Sequence, residues 1–436
     1  MKEPTLIVTP RRAALLAGHD NELDVLVRVQ APPAPVELSK RKPLHLAVVI
    51  DRSGSMAGRP LEEAKRCAEF LLGGLDHDDR YTLVVYDDEA QTLHPPLPAV
   101  GKETVREALR GVDVGGMTNL HGGWFQGVDN LSPHVRDDAI SRVILLSDGC
   151  ANRGLTDADA IYAQCADFAS AGISTSTYGL GDNFNEELMI GMARHGQGNA
   201  YYGRTADDLL DPFREEFDLL NALFARRLRL AVEPAAGVDV KLQNDYVADG
   251  RNAWLLPALA FGGEAWAVLR LRVPASQATE ASRPLLSVSL RYTSLDGEPR
   301  TLEPRELALA SLPAAAYGAI AEDELVMRRS DELEVAALQS RAREAAGRGD
   351  WSGVERSLKH AERIGQRNPW VAVAVGELRQ LAARREEAAF SKEAAFSSHR
   401  MSSRLAPRVE IARPDAQGDA PSYLRRKSAQ GRATPR

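Results

Sequence analysis

The sequence predicts a doubly wound α/β domain, inserted in or followed by a β-sandwich, and then a helical C-terminal region and a disordered tail. In the first half of the chain, apolar runs of strand length alternate with segments of helical length, which is typical of a mostly parallel sheet covered on both faces. Segments of alternating polarity flank this region on both sides and indicate antiparallel strands. Segments rich in Ala, Leu, Arg and Glu follow them and indicate helices.

The composition fits a globular chain of several domains. The 436 residues are 44% hydrophobic and 26% charged, close to the globular average. The net charge of −7 gives no reason to expect nucleic acid as a partner, and three cysteines are too few for a disulfide framework. Because no apolar run is long enough to span a membrane and the first residues lack a signal-peptide core, we expect a cytoplasmic protein with no membrane span.

The N-terminal segment, residues 1–43, is predicted to supply strands to a sheet that is completed later in the chain. TLIVT and LDVLVRVQ have the pattern of short strands, and a Pro-rich linker follows them. Two isolated strands are not stable alone. We therefore expect them to pair with strands of residues 223–312 in one β-sandwich.

Residues 44–222 are predicted to form the α/β domain. LHLAVVI, YTLVVY, RVILLS and GISTSTYG are continuous apolar strands, and segments of helical length separate them. A helix, a short strand and a further helix then complete the domain.

Three regions follow the α/β domain. The β-sandwich is predicted over residues 223–312, with a hairpin turn at 295–298. Residues 313–390 have helical character with two short turns. Residues 391–436 contain ten Lys and Arg against four Asp and Glu and few apolar residues, which predicts a disordered basic tail.

The first strand of the α/β domain ends in a motif that suits a hard cation. Asp51, Ser53 and Ser55 form a D-x-S-x-S motif that presents one carboxylate and two hydroxyls on one turn. Thr118 follows a Gly-rich loop, and Asp148 ends another apolar strand. In an open α/β sheet the carboxyl ends of the strands beside the topological switch point form the binding crevice. Because the five side chains offer only oxygen, they favour a hard cation and argue against zinc.

With these residues in place, residues 44–222 resemble a von Willebrand factor type A (VWA) domain, which has a Rossmann-like fold. Asp51, Ser53, Ser55, Thr118 and Asp148 match its metal-ion-dependent adhesion site. The resemblance implies that the two serines bind Mg²⁺ directly and that Thr118 and Asp148 bind it directly or through water. Asp51 would orient ligands and waters, and Mn²⁺ or Ca²⁺ are alternatives to Mg²⁺. The arrangement of the whole chain is similar to that of bacterial cytoplasmic VWA proteins and, loosely, of inter-alpha-trypsin inhibitor heavy chains.

The resemblance implies a metal-dependent protein–protein interaction module. Neutral hydroxyls leave the charge of the cation undercompensated on its open side, so an Asp or Glu of an unknown partner protein would complete the coordination. The alternative is a structural scaffold, or a regulatory subunit of an ATPase or kinase system, that acts through the helical C-terminus and tail. In family members that switch conformation, the helix after the last parallel strand slides; here that helix is predicted over 205–220.

Catalysis is not expected. The sequence contains no G-x-x-x-x-G-K-[ST] loop, no H-E-x-x-H and no G-x-S-x-G elbow. A haloacid-dehalogenase type of enzyme needs a second acid at position 53, where this chain has Ser53. His121 follows the Thr118 loop and is interpreted as a capping or packing residue, with proximity to the metal as the alternative.

Overall fold

A computed structural model describes residues 3–34, 41–99, 102–148, 151–180, 185–203, 206–278, 282–403 and 406–407. The chain divides into two compact units. The α/β unit contains residues 35–223 and 295–297, and the β-sandwich unit contains residues 1–34, 224–294 and 298–436. The α/β unit therefore interrupts the sandwich unit in sequence.

Three strands open the chain and belong to the sandwich unit. They are β1 (Thr5–Pro10), β2 (Leu15–Leu16) and β3 (Asn21–Gln30). The elements of the α/β unit follow in the order β4 (Leu44–Asp51), α1 (Arg59–Gly73), β5 (Arg80–Tyr86), β6 (Ala90–Pro98), α2 (Lys102–Arg110), α3 (Leu120–Leu131), β7 (Ile140–Ser147), α4 (Ala158–Ala171), β8 (Ile173–Leu180), α5 (Glu186–His195), β9 (Gln197–Gly203) and α6 (Ala206–Asn221).

The sheet of the α/β unit has the strand order β6-β5-β4-β7-β8-β9. Strands β5, β4, β7, β8 and β9 are parallel, and β6 is antiparallel to β5. The chain continues from β4 to one edge and from β7 to the other, so the topological switch point lies between these two strands. The predicted doubly wound α/β fold is confirmed, and its binding crevice is expected at the carboxyl ends of β4 and β7.

Continuous apolar sequence and polar caps explain these elements. Every residue of β4 and β7 is buried, as expected for central strands covered on both faces. Helix α3 begins where the Asn119 side chain accepts a hydrogen bond from the Gly122 amide, and Asp157 caps α4 in the same way. Strand β6 was not predicted, because its sequence contains Pro95 and Pro96 and its side chains are half-buried or exposed. Such a segment is tolerated only at the edge of a sheet, where β6 lies.

The remaining elements belong to the sandwich unit. They are β10 (Leu223–Pro234), β11 (Asp239–Leu242), β12 (Ala253–Leu256), β13 (Leu259–Ala260), β14 (Gly263–Val273), β15 (Arg283–Ser294), β16 (Pro299–Thr301), β17 (Arg305–Leu309), β18 (Ser311–Leu312), α7 (Ala314–Gly318), α8 (Glu324–Gly347), α9 (Trp351–Gly365), α10 (Pro369–Arg384), α11 (Glu387–Ser403) and β19 (Ala406–Pro407).

Two sheets of the sandwich unit enclose one apolar core. The first has the order β1-β3-β14-β11, and the second has the order β12-β10-β15-β16. Strand β3 pairs with β14 along ten residues, from Asn21 opposite Val273 to Gln30 opposite Glu264. Strand β3 thus lies in the interior of a sheet, and its partner β14 comes more than 200 residues later in the chain. Inward-facing side chains of both sheets, such as Val27 and Leu230, share the core.

The helical region packs on the outer face of the first sheet. Leu26, Trp266 and Val268 of that face form a cluster with Val326 and Leu333 of α8. Helix α8 also packs against α9, α10 and α11 through two further clusters of apolar side chains. Among the described residues, no helix has both the length and the apolar character needed to cross a bilayer.

The predicted boundary between the helical region and the tail, at residues 390 and 391, is wrong. Helix α11 continues to Ser403. The reason is that Phe390, Ala394 and Met401 recur on one side of this helix and are buried against other helices of the region. Basic and serine residues lie between these apolar positions in the sequence, and the helical spacing of the apolar residues was therefore not recognised. Of the rest of the predicted disordered tail, Ala406–Pro407 form β19, and residues 404–405 and 408–436 lie outside the described residues.

His45, at the start of β4, makes stability depend on pH. The side chain is 2% exposed, and its Nδ1 donates to the His134 carbonyl oxygen over 2.9 Å. Burial lowers the pKa of His45, and the nearby Arg80 and Arg136 act in the same direction. Below the ordinary pKa of about 6.5, the unfolded chain therefore takes up a proton that the folded chain excludes. We expect the free energy of unfolding to fall as the pH drops from 7.5 to 5.5.

Urea unfolding of the wild-type chain and of His45→Gln at pH 7.5, 6.5 and 5.5 checks this expectation. Since glutamine does not titrate, the variant should show the smaller loss of stability on acidification. The pKa of His134 is also lowered by burial, so part of the effect should remain in the variant. Equal pH dependence of the two proteins would contradict the assignment to His45.

Candidate metal centre

The candidate site lies at the carboxyl ends of β4 and β7, on either side of the switch point. Asp51 is the last residue of β4, and Asp148 directly follows the end of β7. These strands pair in parallel, with Ile50 opposite Leu146. The parallel register therefore brings two carboxylates that are far apart in sequence to the same edge of the sheet.

Asp51 is a buried carboxylate with both oxygens bound to the protein. Its Oδ1 accepts a hydrogen bond from the Ser53 amide at 2.9 Å. Its Oδ2 accepts from the hydroxyls of Ser147 at 2.7 Å and Tyr86 at 3.2 Å. Burial raises the pKa of Asp51, and these hydrogen bonds oppose that shift because they favour the charged form. The geometry thus suits Asp51 to organise the loop that follows it.

Ser53, Ser55 and Asp148 form a continuous chain of oxygen atoms. The two serine hydroxyl oxygens lie 3.2 Å apart, and the Ser55 hydroxyl donates to Asp148 Oδ1 at 2.8 Å. Ser53 and Asp148 are 1% and 6% exposed, whereas Ser55 is exposed. The chain of oxygens therefore reaches the surface at Ser55, between the buried Ser53 and Asp148.

Thr118 lies on a loop that packs against the D-x-S-x-S turn. The Gly54 amide donates to the Gly116 carbonyl at 2.9 Å, and the Gly115 amide donates to the Arg52 carbonyl at 2.7 Å. Within the described residues, hydrogen bonds reach Thr118 through its backbone alone, although its side chain is 4% exposed. The structure thus links the side chains of Ser53, Ser55 and Asp148, joins the Asp51 carboxylate to the Ser53 backbone, and brings the Thr118 loop against their turn.

Two glycines make this close approach possible. A Cβ atom added at Gly115 would lie 1.8 Å from Asp87 Oδ2, and one at Gly116 would lie 1.8 Å from Asp88 Oδ2. Both side chains would have to move before any larger residue could be accommodated. The Gly-rich sequence before Thr118 is therefore required by contact with the neighbouring loop.

The sequence did not reveal three residues that hold the site together. Tyr86 and Ser147 bind Asp51 from the ends of β5 and β7, and Asn152 binds the backbone of Thr118. Their partners are distant in sequence, so only the parallel strand order could have suggested them. His121 has the predicted packing role, since its Nε2 lies 2.9 Å from Gln164 Oε1 and its ring packs on neighbouring aromatic rings.

The donor set fits a hard divalent cation. Two carboxylates and three hydroxyls supply oxygen only, which is the ligand type that Mg²⁺ prefers. In the part of the chain that the structure describes, no three His, Cys, Asp or Glu side chains group as metal ligands. The case for a metal at this site therefore rests on the oxygen donors of Asp51, Ser53, Ser55, Thr118 and Asp148.

Comparison with known proteins supports the fold of the α/β unit. The model of the von Willebrand factor type A domain family matches residues 45–215. A von Willebrand factor type A protein from Catenulispora acidiphila has a similar structure, with a TM-score of 0.72 and 15% identity over 90% of this chain and 97% of that one. The ArnB paralog VWA2 from Sulfolobus acidocaldarius gives a TM-score of 0.61 and 16% identity over 91% and 99% of the two chains.

Sequence relatives match the same region. An uncharacterized protein of Synechocystis is 27% identical over 200 residues, which are 45% of this chain and 46% of that protein. Human inter-alpha-trypsin inhibitor heavy chain H3 is 29% identical over 185 residues, which are 40% of this chain and 21% of the heavy chain. The chain therefore spans less than half the length of these relatives. The family match assigns residues 45–215 to the von Willebrand factor type A domain family, and the strand order and the two structural likenesses agree with the fold of that domain.

Proposed function

We propose that this chain is a non-enzymatic, metal-dependent protein-interaction module that binds an acidic residue of a partner through a divalent cation. VWA domains in general serve protein interaction or adhesion, and the family match at residues 45–215 supports such a role here. The observation that carries the metal-dependent part is the chain of oxygens from Ser53 through Ser55 to Asp148, which begins beside the buried Asp51 and reaches the surface at Ser55.

Each residue has a distinct task in this proposal. Ser53, Ser55, Thr118 and Asp148 would hold Mg²⁺, or alternatively Mn²⁺ or Ca²⁺, with Asp51 keeping the first turn in place. Asp51 and Asp148 are the acidic residues of this set, and the three hydroxyls are neutral. The positive charge of the bound cation would therefore be only partly compensated. The exposure of Ser55 leaves one side of the site accessible, where a carboxylate of the partner can replace water. The partner is thus a protein that presents Asp or Glu.

Asp148→Ala tests the metal site with Mg²⁺ itself as the probe. Loss of one of two carboxylates, together with the acceptor of the Ser55 hydroxyl, should reduce Mg²⁺ affinity at least tenfold in isothermal titration calorimetry. Asp113→Ala is the matched control, because Asp113 is an exposed acid on the loop that leads to Thr118. Unchanged affinity in Asp148→Ala, or equal losses in both variants, would contradict the assignment.

Capture from the native host tests the interaction. Partner proteins should be retained on the wild-type chain in Mg²⁺ and released by EDTA, and Asp148→Ala should retain none of them. Partners that remain in EDTA and on Asp148→Ala would instead favour the scaffold or regulatory-subunit role. We also propose a cytoplasmic location, which the buried thiol of Cys165, outside any disulfide, supports.

A further inference from the structure

Asn152 and Thr118 are joined by a pair of reciprocal hydrogen bonds. The Thr118 amide donates to Asn152 Oδ1 at 2.9 Å, and the Asn152 amide donates back to the Thr118 carbonyl at 3.1 Å. The Arg153 amide donates to the same carbonyl at 3.3 Å. Both polar groups of the Thr118 backbone are therefore bound by the segment that follows Asp148.

An ion pair strengthens this connection on the outside. The Arg153 guanidinium donates to Asp88 Oδ1 at 2.6 Å. The other carboxylate oxygen of Asp88 accepts from the Met117 amide at 3.3 Å, one residue before Thr118. The segment after β7 thus holds the Thr118 loop through its backbone and, by way of Asp88, through a side-chain bridge.

These contacts contribute little to the stability of the α/β unit. Asn152 and Arg153 are exposed, and exposed hydrogen bonds and ion pairs contribute about 1 kcal/mol or less each to stability. Their common effect is geometric, because they tie Thr118 to the chain four residues beyond Asp148. Thr118 and Asp148 lie on different loops, and no side-chain hydrogen bond joins them within the described residues.

We infer that Asn152 is a positioning residue of the metal centre, which sets the Thr118 hydroxyl relative to the Asp148 carboxylate. This inference rests on the proposed function, since it assigns Asn152 a role in cation binding. A metal that demands near-octahedral geometry is sensitive to small displacements of its ligands. Residues that hold metal ligands in place typically alter affinity by about 10–100-fold when they are removed. Asn152 acts through Thr118 and does not touch the cation itself.

Asn152→Ala should lower the affinity for Mn²⁺, measured by electron paramagnetic resonance of the free ion, by about tenfold or more. The thermal midpoint of the metal-free chain should change little, because the substitution removes a single part-buried hydrogen bond, which contributes about 1 kcal/mol. Asn152→Asp keeps an oxygen acceptor for the Thr118 amide and should restore most of the affinity. A loop contact with a merely structural role would change the thermal midpoint and leave the affinity alone.

Asn130→Ala provides the control for loss of an asparagine. Its Nδ2 donates to the hydroxyls of Thr82 at 3.0 Å and Thr92 at 2.9 Å, in the same domain but outside the metal loops. This variant should lower the thermal midpoint without changing Mn²⁺ affinity. Wild-type affinity in Asn152→Ala, with loss of binding in Asp148→Ala, would overturn the inference and leave the proposed function standing. A wild-type chain that binds neither Mg²⁺ nor Mn²⁺ would overturn both.

Discussion

Replacement of Glu216 by alanine is expected to lower the free energy of unfolding of the α/β unit by about 3–5 kcal/mol. Glu216 lies on α6 with no exposed surface, and it forms an ion pair with Arg142 of β7, which is 4% exposed. Its Oε1 also accepts from Ser176 at 2.7 Å. Its Oε2 accepts from Asn199 at 2.6 Å and Tyr201 at 3.2 Å. Alanine would leave the Arg142 charge buried without its partner.

The charged state of Glu216 supports this expectation. Burial alone would raise its pKa, but Arg142, Asn199 and Ser176 together outweigh burial and the pKa is lowered. The carboxylate is therefore ionised at neutral pH, and its interactions are those of a full charge.

Urea unfolding at pH 7 measures the effect, with Asp218→Ala as the control. Asp218 is an exposed acid half a turn further along α6, so its replacement should change stability by less than about 0.5 kcal/mol. The double variant Arg142→Met with Glu216→Leu should recover much of the loss, because a buried ion pair can often be replaced by apolar groups of similar volume. A loss below 1 kcal/mol in Glu216→Ala would show that the pair is not desolvated as the structure has it.

The contacts of Glu216 also restrict the hypothesis that α6, the helix after the last parallel strand, slides when the domain switches conformation. One carboxylate ties α6 to β7, β8 and β9 at once. A slide of one helical turn, about 5.4 Å, would break every one of these hydrogen bonds. Any switch that moves α6 must therefore provide a new partner for Glu216 or accept a cost comparable to that of its removal.

The fold was predictable where a single pattern decided the structure. The central strands β4 and β7 are buried on both faces, so their apolar residues run without interruption in the sequence. Strand β6 and residues 391–403 of α11 were not predicted, because edge position and helix–helix packing, rather than local sequence, determine their structure. In both cases the sequence carried a contrary local signal, prolines in one and basic and serine residues in the other.

The candidate site was predictable to the extent that its residues form motifs. Asp51, Ser53 and Ser55 share one turn, so their proximity follows from sequence alone. The supporting residues Tyr86 and Ser147 carry no motif, because strand register is what brings their hydroxyls to Asp51. A serine or tyrosine at a strand end can therefore be assigned to a site only when the neighbouring strand in the sheet is known.

Gly123→Ala is expected to destabilise the α/β unit by about 1–3 kcal/mol, although alanine is the better helix former. Gly123 lies in α3, and an added Cβ would be 2.2 Å from Cδ1 of the Tyr86 ring. Tyr86 is fully buried, so its ring has no open space into which it can move. Gly376→Ala in α10 is the matched control, since no atom lies within 4 Å of its added Cβ. This second variant should be stabilised by about 0.5–1 kcal/mol.

The effect of Gly123→Ala should extend from packing to the candidate metal centre. The Tyr86 hydroxyl donates to Asp51 Oδ2, so displacement of the ring removes one of the two side-chain donors named above for that oxygen. We therefore expect Gly123→Ala to weaken Mg²⁺ binding as well as to lower the urea midpoint, whereas Tyr86→Phe should weaken binding with a smaller loss of stability. Equal stability changes in Gly123→Ala and Gly376→Ala would contradict the packing argument, because only contact with Tyr86 gives the two substitutions opposite signs.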